Sequence, residues 1–141
     1  MFLGEYTHTI DEKGRLTIPA KFRGELAAGL VVTRGFDQNL MIFTMEGWQE
    51  LAEKIAQRPM TDRSTRLFRR RVYSGAIDVV PDRQGRIVLP AHLRAFAGLE
   101  SEAVIIGMFN YVELWSAESW QPVRDEIEND EDMKRWDDLG I

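Results

Sequence analysis

Two stretches of the chain repeat one short alternation of positions. Leu16 and Ile18 fall on one side of a period-two pattern with Arg15 and Thr17 on the other, and Ile87 and Leu89 oppose Arg86 and Val88 in the same way. That period predicts two short strands, each with its Leu/Ile pair turned inward. Each strand follows a turn, Asp11-Glu12-Lys13-Gly14 or Asp82-Arg83-Gln84-Gly85. Asp can accept hydrogen bonds from the backbone just downstream, and Gly tolerates the positive φ that other residues resist. Pro19 and Pro90 end the strands and suit the first position of short helices at Ala20–Arg23 and Ala91–Arg94. Ahead of the first turn, Tyr6 to Ile10 is β-prone. After each short helix comes a predicted hairpin: Leu30–Thr33 and Leu40–Phe43 around a Gly35–Asn39 loop, then Ala103–Ile106 and Tyr111–Trp115 around Gly107–Asn110.

The period then lengthens. From Thr44 to about Gln57, Trp48, Leu51, Ala52 and Ile55 share one helical face, and Pro59 closes the element. A second helix is predicted over roughly Asp62 to Val72. A third begins near Ala117 with Trp120 and Val123 inward, and it fades into an acidic tail.

These elements form two copies of one unit. At a shift of 71, Asp11, Gly14, Arg15, Pro19, Ala20 and Arg23 fall on Asp82, Gly85, Arg86, Pro90, Ala91 and Arg94. At a shift of 72, Val32, Leu40, Phe43, Glu46 and Trp48 fall on Val104, Val112, Trp115, Glu118 and Trp120. One inserted residue accounts for the change, and the agreement points to internal duplication. Two copies are too few for a solenoid, so two half-domains around a pseudo-twofold axis are expected. The predicted organisation is a first repeat with linking helices at 1–75, a second repeat at 76–124 and an acidic tail or helix at 125–141.

Composition narrows the chemistry. The chain of 141 residues has no cysteine, which removes disulfides, thiolate nucleophiles and sulfur-ligated metal sites. No apolar run approaches the roughly 20 residues of a membrane span, and the start lacks the basic and apolar regions of a secretory signal, so a soluble, cytoplasmic protein is expected. Eighteen basic and 23 acidic residues leave a formal charge of -5, unevenly placed. Residues 1–75 carry +3 and residues 76–141 carry -8. Eight carboxylates between Asp125 and Asp138 face only Lys134 and Arg135, so a local basic surface can coexist with the acidic total.

The duplicated turn supplies the candidate chemistry. Asp-x-x-Gly-Arg sets a guanidinium beside a low-profile backbone that can approach a grooved partner closely. Lys13 flanks Arg15, and Arg83 flanks Arg86, so each turn carries two cations. Guanidinium suits bidentate contact with guanine O6 and N7 as well as phosphate, and two related turns match the repeated geometry of a duplex. Lys21, Arg23 and Arg94 are expected phosphate contacts. The plainer reading makes Asp11–Arg15 and Asp82–Arg86 ion pairs that only shape the turns. Both hold together if Asp orients the Arg that touches DNA.

Enzyme signatures are missing. The sequence has no H-x-x-x-H or H-E-x-x-H, no nucleophile elbow and no Gly-rich phosphate loop. A carboxylate pair built from Asp11 and Asp82 fits poorly with a nearby Arg that keeps each ionised. No enzyme activity, cofactor, metal or small-molecule substrate is therefore expected. The basic run Arg69-Arg70-Arg71 reads more readily as a solvated helix face or a subunit contact than as a phosphate site. Trp48 and Trp120 read as core anchors.

The segments MFLGEYTHTIDEKGRLTIPAKFR, RRVYSGA, GRIVLP, AGL and ELW closely resemble the MraZ family of bacterial transcription regulators, across essentially the whole chain. The resemblance implies an α+β, mainly β fold: two tandem AbrB-like swapped-hairpin half-domains that form one pseudo-twofold β-barrel with flanking helices. It also implies a ring-shaped homo-oligomer, such as an octamer. This would be a nucleoid-associated repressor of its own operon, the division and cell-wall cluster, on repeated elements of double-stranded promoter DNA. Lys13, Arg15 and Arg86 are the implied DNA contacts. The copies differ where Gln84 replaces Lys13 and His92 replaces Lys21, so the second is expected to bind more weakly or to serve partly as scaffold. The competing reading is an antitoxin-like interaction module that uses the acidic tail against a basic partner, since fold alone does not decide. The tail is expected to limit nonspecific DNA binding or to tune subunit packing.

Overall fold

The structure is a computed structural model and describes residues 1–129 and 136–140. Thirteen elements follow one another in the described residues. The first repeat runs β1 (Glu5–Thr9), β2 (Arg15–Thr17), α1 (Ala20–Leu26), β3 (Leu30–Arg34), β4 (Leu40–Thr44) and α2 (Met45–Ala56). A linking helix α3 (Arg63–Gly75) leads into the second: β5 (Ile77–Val79), β6 (Arg86–Val88), α4 (Ala91–Ala97), β7 (Glu102–Gly107), β8 (Val112–Trp115) and α5 (Ala117–Glu128). The fold class is α+β, as the resemblance implies. Pro19 and Pro90 take the N-cap positions of α1 and α4.

The strands are exchanged between the repeats. One antiparallel sheet has the order β1-β7-β8-β4-β3-β5, and β2 pairs only with β6 in a separate two-stranded ribbon. Strand β1 of the first repeat lies on β7 of the second, with Tyr6 opposite Ile105. Strand β5 of the second repeat lies on β3 of the first, with Val31 opposite Asp78. Swapping the repeats turns the strand order into its own reverse, so the pseudo-twofold axis passes between β4 and β8. Neither repeat completes its own sheet.

Burial follows the period-two pattern in β2 and β6, whereas Leu30–Thr33 of β3 and Leu40–Phe43 of β4 are buried on both faces. Leu16, Ile18, Ile87 and Leu89 join Phe22, Leu26, Leu93 and Ala97 in one continuous core with the inner residues of the large sheet. That single core draws on both copies, as expected for a pair too small to bury separate ones. Phe22 is wedged edge-on between Phe2 and Tyr6, with ring centroids 5.2 and 5.3 Å away.

The helices beyond the sheet start on side-chain caps. Thr44 accepts from the Gly47 amide, Asp62 from Thr65 and Ser116 from Ser119. Ile55 is buried while Trp48, Leu51 and Ala52 are half-buried on the face the period predicts. Trp120 is buried against Trp115, its indole N–H donating to Glu5 Oε1 at 3.1 Å. Arg124 pairs with the same Glu5, which ties α5 of the second repeat to β1 of the first. Helix α5 continues through 124/125 to Glu128 without a break. The tail reading in part concerns Asp130, Glu131, Asp132, Lys134 and Arg135, which lie outside the described residues.

Candidate nucleic-acid interface

The ribbon is where the two signatures meet. Arg15 lies opposite Val88, Leu16 opposite Ile87 and Thr17 opposite Arg86. Leu16 and Ile87 face the core at 1% and 2% exposure. Alternation then sets Arg15, Thr17, Arg86 and Val88 together on the outer face. Arg15 and Arg86 are half-buried, while Val88 is exposed. The sequence predicts the outward position of each residue but not that all four share one surface. The signal was present in the shared alternation of the two copies; the missing fact was that the copies pair with each other.

Each turn is held by its Asp. Asp11 Oδ1 accepts from the Lys13 and Arg15 amides at 2.9 Å each, and Oδ2 accepts from Arg15 Nε at 2.5 Å. Asp82 repeats the pattern with the Gln84 and Arg86 amides at 2.9 Å and Arg86 Nε at 2.8 Å. Gly14 and Gly85 adopt φ of 78° and 76°, the left-handed region the turn requires. The Arg15 amide, then the Arg15 side chain and the Lys13 amide, hold the Asp11 carboxyl below its ordinary range. Asp82 is lowered in the same way by the Arg86 amide, the Arg86 side chain and the Gln84 amide. Both carboxylates therefore stay ionised, which is wrong for a shared-proton pair.

This geometry has a chemical consequence. Asp engages Nε, so the planar guanidinium is fixed by one edge. Its two Nη groups make no ion pair or hydrogen bond among the described residues. Two parallel N–H donors on a fixed plane are what a bidentate acceptor pair needs. The turn-shaping and ligand-presenting readings are one arrangement.

The remaining sequence candidates fall in two groups. Lys13, Lys21 and Arg83 are exposed around the ribbon and its following helices. Arg23 and Arg94 are half-buried, and each donates Nε at 2.9 Å to a backbone carbonyl, of Ile18 and Leu89 respectively. Within 11–23 and 82–94, seven basic side chains (Lys13, Arg15, Lys21, Arg23, Arg83, Arg86, Arg94) accompany three carboxylates (Asp11, Glu12, Asp82). This surface is basic although the whole chain is acidic.

The Arg69–Arg71 run lies on α3, away from the ribbon in the chain order. Arg71 donates Nε to the Gly35 carbonyl at 3.0 Å and sits over the Phe96 ring, and Arg69 sits over Tyr73. Arg66 donates to the Met60 and Thr61 carbonyls. Much of this run is committed to its own chain. Among the described residues, no cluster of three or more His, Asp or Glu side chains is arranged to hold a metal ion. None of the described helices is long and apolar enough to cross a membrane.

Comparison with known proteins agrees with the duplication. The family described as "MraZ protein, putative antitoxin-like" matches the chain twice, over residues 1–71 and 72–138. A protein of Herpetosiphon aurantiacus named transcriptional regulator MraZ is 58% identical over 125 residues, covering 89% of this chain and 87% of its own. A namesake from Thermomicrobium roseum is 52% identical over 85% of this chain and 84% of its own. Another from Halothermothrix orenii is 45% identical over the full length of both chains.

Proposed function

The chain belongs to the MraZ family, and from that premise we propose that it is a DNA-binding transcriptional regulator that reads its target through the outer face of the β2–β6 ribbon. The observation that carries this reading is the pair of Asp-held guanidinium groups, Arg15 and Arg86, on one exposed two-stranded surface. A two-stranded ribbon fits the major groove, and Arg is the usual bidentate partner of guanine there. Lys13, Lys21 and Arg83 flank the ribbon as phosphate contacts, which position a protein without specifying sequence. The names of the relatives support the regulatory role.

The finer reading is also ours. The exchange of β1 and β5 supports two interlocked swapped-hairpin halves around a shared barrel-like core. One ribbon offers few base contacts, so useful affinity comes from several subunits of a ring engaging repeated promoter elements at once. The target is DNA upstream of the protein's own gene, in the division and cell-wall operon, and the effect is repression at the nucleoid.

Footprinting of the purified protein on that upstream DNA tests the proposal. Protection of regularly spaced repeats is expected, with affinity falling steeply as salt rises. Arg15→Ala should abolish the specific footprint while its circular dichroism spectrum and cooperative melting show that the fold is kept. Normal protection by Arg15→Ala would overturn the site assignment. Stoichiometric capture of a basic protein, with no upstream DNA retained, would instead favour the antitoxin-like module.

A further inference from the structure

Arg23 and Arg94 are placed where each repeat touches the other's turn. Arg23 follows β2 in the first repeat, yet its side chain lies against Gly85 of the second. A Cβ at Gly85 would stand 2.5 Å from Arg23 Nε and 2.8 Å from Cδ. Arg94 of the second repeat lies against Gly14 of the first, with a Cβ there 3.1 Å from its Nε and Cζ. The backbone makes the same crossing. The Ile18 amide donates to the Gly85 carbonyl at 2.8 Å, and the Leu89 amide donates to the Gly14 carbonyl at 2.9 Å.

The Ile18 backbone is thus held through both its N–H and its carbonyl. Its N–H is spent on the opposite turn and its carbonyl receives Arg23 Nε at 2.9 Å. Leu89 repeats this with Gly14 and Arg94. The missing side chain at each glycine is filled by a guanidinium from the other repeat. Arg23 also borders the small hollow formed with Pro81, Asp82 and Arg83, beside the turn that presents Arg86.

We propose that Arg23 and Arg94 are crossed positioning residues: Arg23 sets the second repeat's turn, which carries Arg83 and Arg86, and Arg94 sets the first repeat's turn, which carries Lys13 and Arg15. Each half of the recognition surface is braced by the half it does not belong to. A turn whose glycine face loses its cover is freer to open, and its Arg meets the ligand with less preorganisation. The role in DNA recognition rests on the function proposed above, whereas the bracing does not.

The test has two arms on the full-length protein. Amide hydrogen exchange of free Arg23→Ala should accelerate at Gly85 and Arg86 by about fivefold or more, the local opening expected when the packing cover over the Gly85 turn is lost, with Gly14 and Arg15 unchanged. Arg94→Ala should give the mirror pattern. Acceleration in the variant's own turn, in both turns equally or in neither would overturn the crossed brace, and this holds whether or not the protein binds DNA. In the second arm, Arg23→Ala and Arg86→Ala should be strongly non-additive in promoter affinity, while Arg23→Ala and Arg15→Ala should be additive. The salt dependence of Arg23→Ala should keep the parent slope. A slope lower by about 0.9, with additive losses, would make Arg23 a plain phosphate contact and sink its role as a brace in recognition. A parent protein that binds no upstream DNA would remove the proposed function and, with it, the recognition half of this inference; the exchange arm would still decide the brace.

Discussion

At Asp11 and Asp82 a single side chain closes the turn, fixes the plane of an Arg and neutralises part of its charge. The bonds span two and four residues, so the Asp-x-x-Gly-Arg spacing alone carries them. Both carboxyls are held below the ordinary 3.8, chiefly by the Arg amide in each turn. A depressed folded pKa contributes stability that is fully present above the unfolded value and is lost as pH falls through the folded one. Carboxyl carbon shifts followed by NMR should give midpoints for Asp11 and Asp82 below 3.8. Arg15→Ala should move the Asp11 midpoint upward and leave Asp82 in place. A parent midpoint at or above the ordinary value would mean that the Asp does not hold its Arg in solution. Arg23 and Arg94 were legible as basic residues after a Pro, but not as covers for a glycine far away in the chain. Nothing in local spacing reports a contact between residues 23 and 85.

Elements are where local pattern and observed structure agree best. Seven of the eight described strand positions, the Gly35–Asn39 loop and the helix starts at Thr44, Asp62 and Ser116 follow from apolar patterning, turn chemistry and capping, whereas β5, whose three residues carry too short a pattern, does not. Nor does the exchange of partners between elements. Period two says which side of a strand is buried, and any strand with a matching apolar face can satisfy it. Helix α5 illustrates the difference: Trp120 reads as an anchor, but its hydrogen bond to Glu5 of β1 joins elements at opposite ends of the chain. The cap at Ser116 starts this helix by accepting from the Ser119 amide at 3.0 Å. Ser116→Ala should therefore cost about 1 kcal/mol in urea unfolding, the ordinary value for a lost cap. An unchanged midpoint would place the helix start under tertiary rather than capping control.

Across the whole molecule, the exchanged strands make the repeats interdependent. Polypeptides 1–75 and 76–141 expressed separately each lose a sheet partner: β1 lacks β7 in the first, and β5 lacks β3 in the second. Each also exposes half of a core that both copies build. Neither piece alone should give a cooperative thermal transition by circular dichroism, and mixing them should restore one. Two independently melting pieces would contradict the shared core. The interdependence also bears on recognition, because the ribbon exists only when both repeats are present.

The amino-acid order by itself determined the duplication, the two turns, the inward and outward sides of β2 and β6 and the concentration of positive charge near the turns in an acidic chain. The duplication is read by comparing positions 71 or 72 apart; the rest depend on residues within a few positions of one another, where backbone geometry leaves little choice. Tertiary structure alone decided that β2 pairs with β6, that β1 and β5 cross to the other repeat, and that Arg23 and Arg94 cover each other's glycines. Those outcomes come from burying two incomplete apolar faces at once, a free energy that belongs to the assembled core and to no single segment.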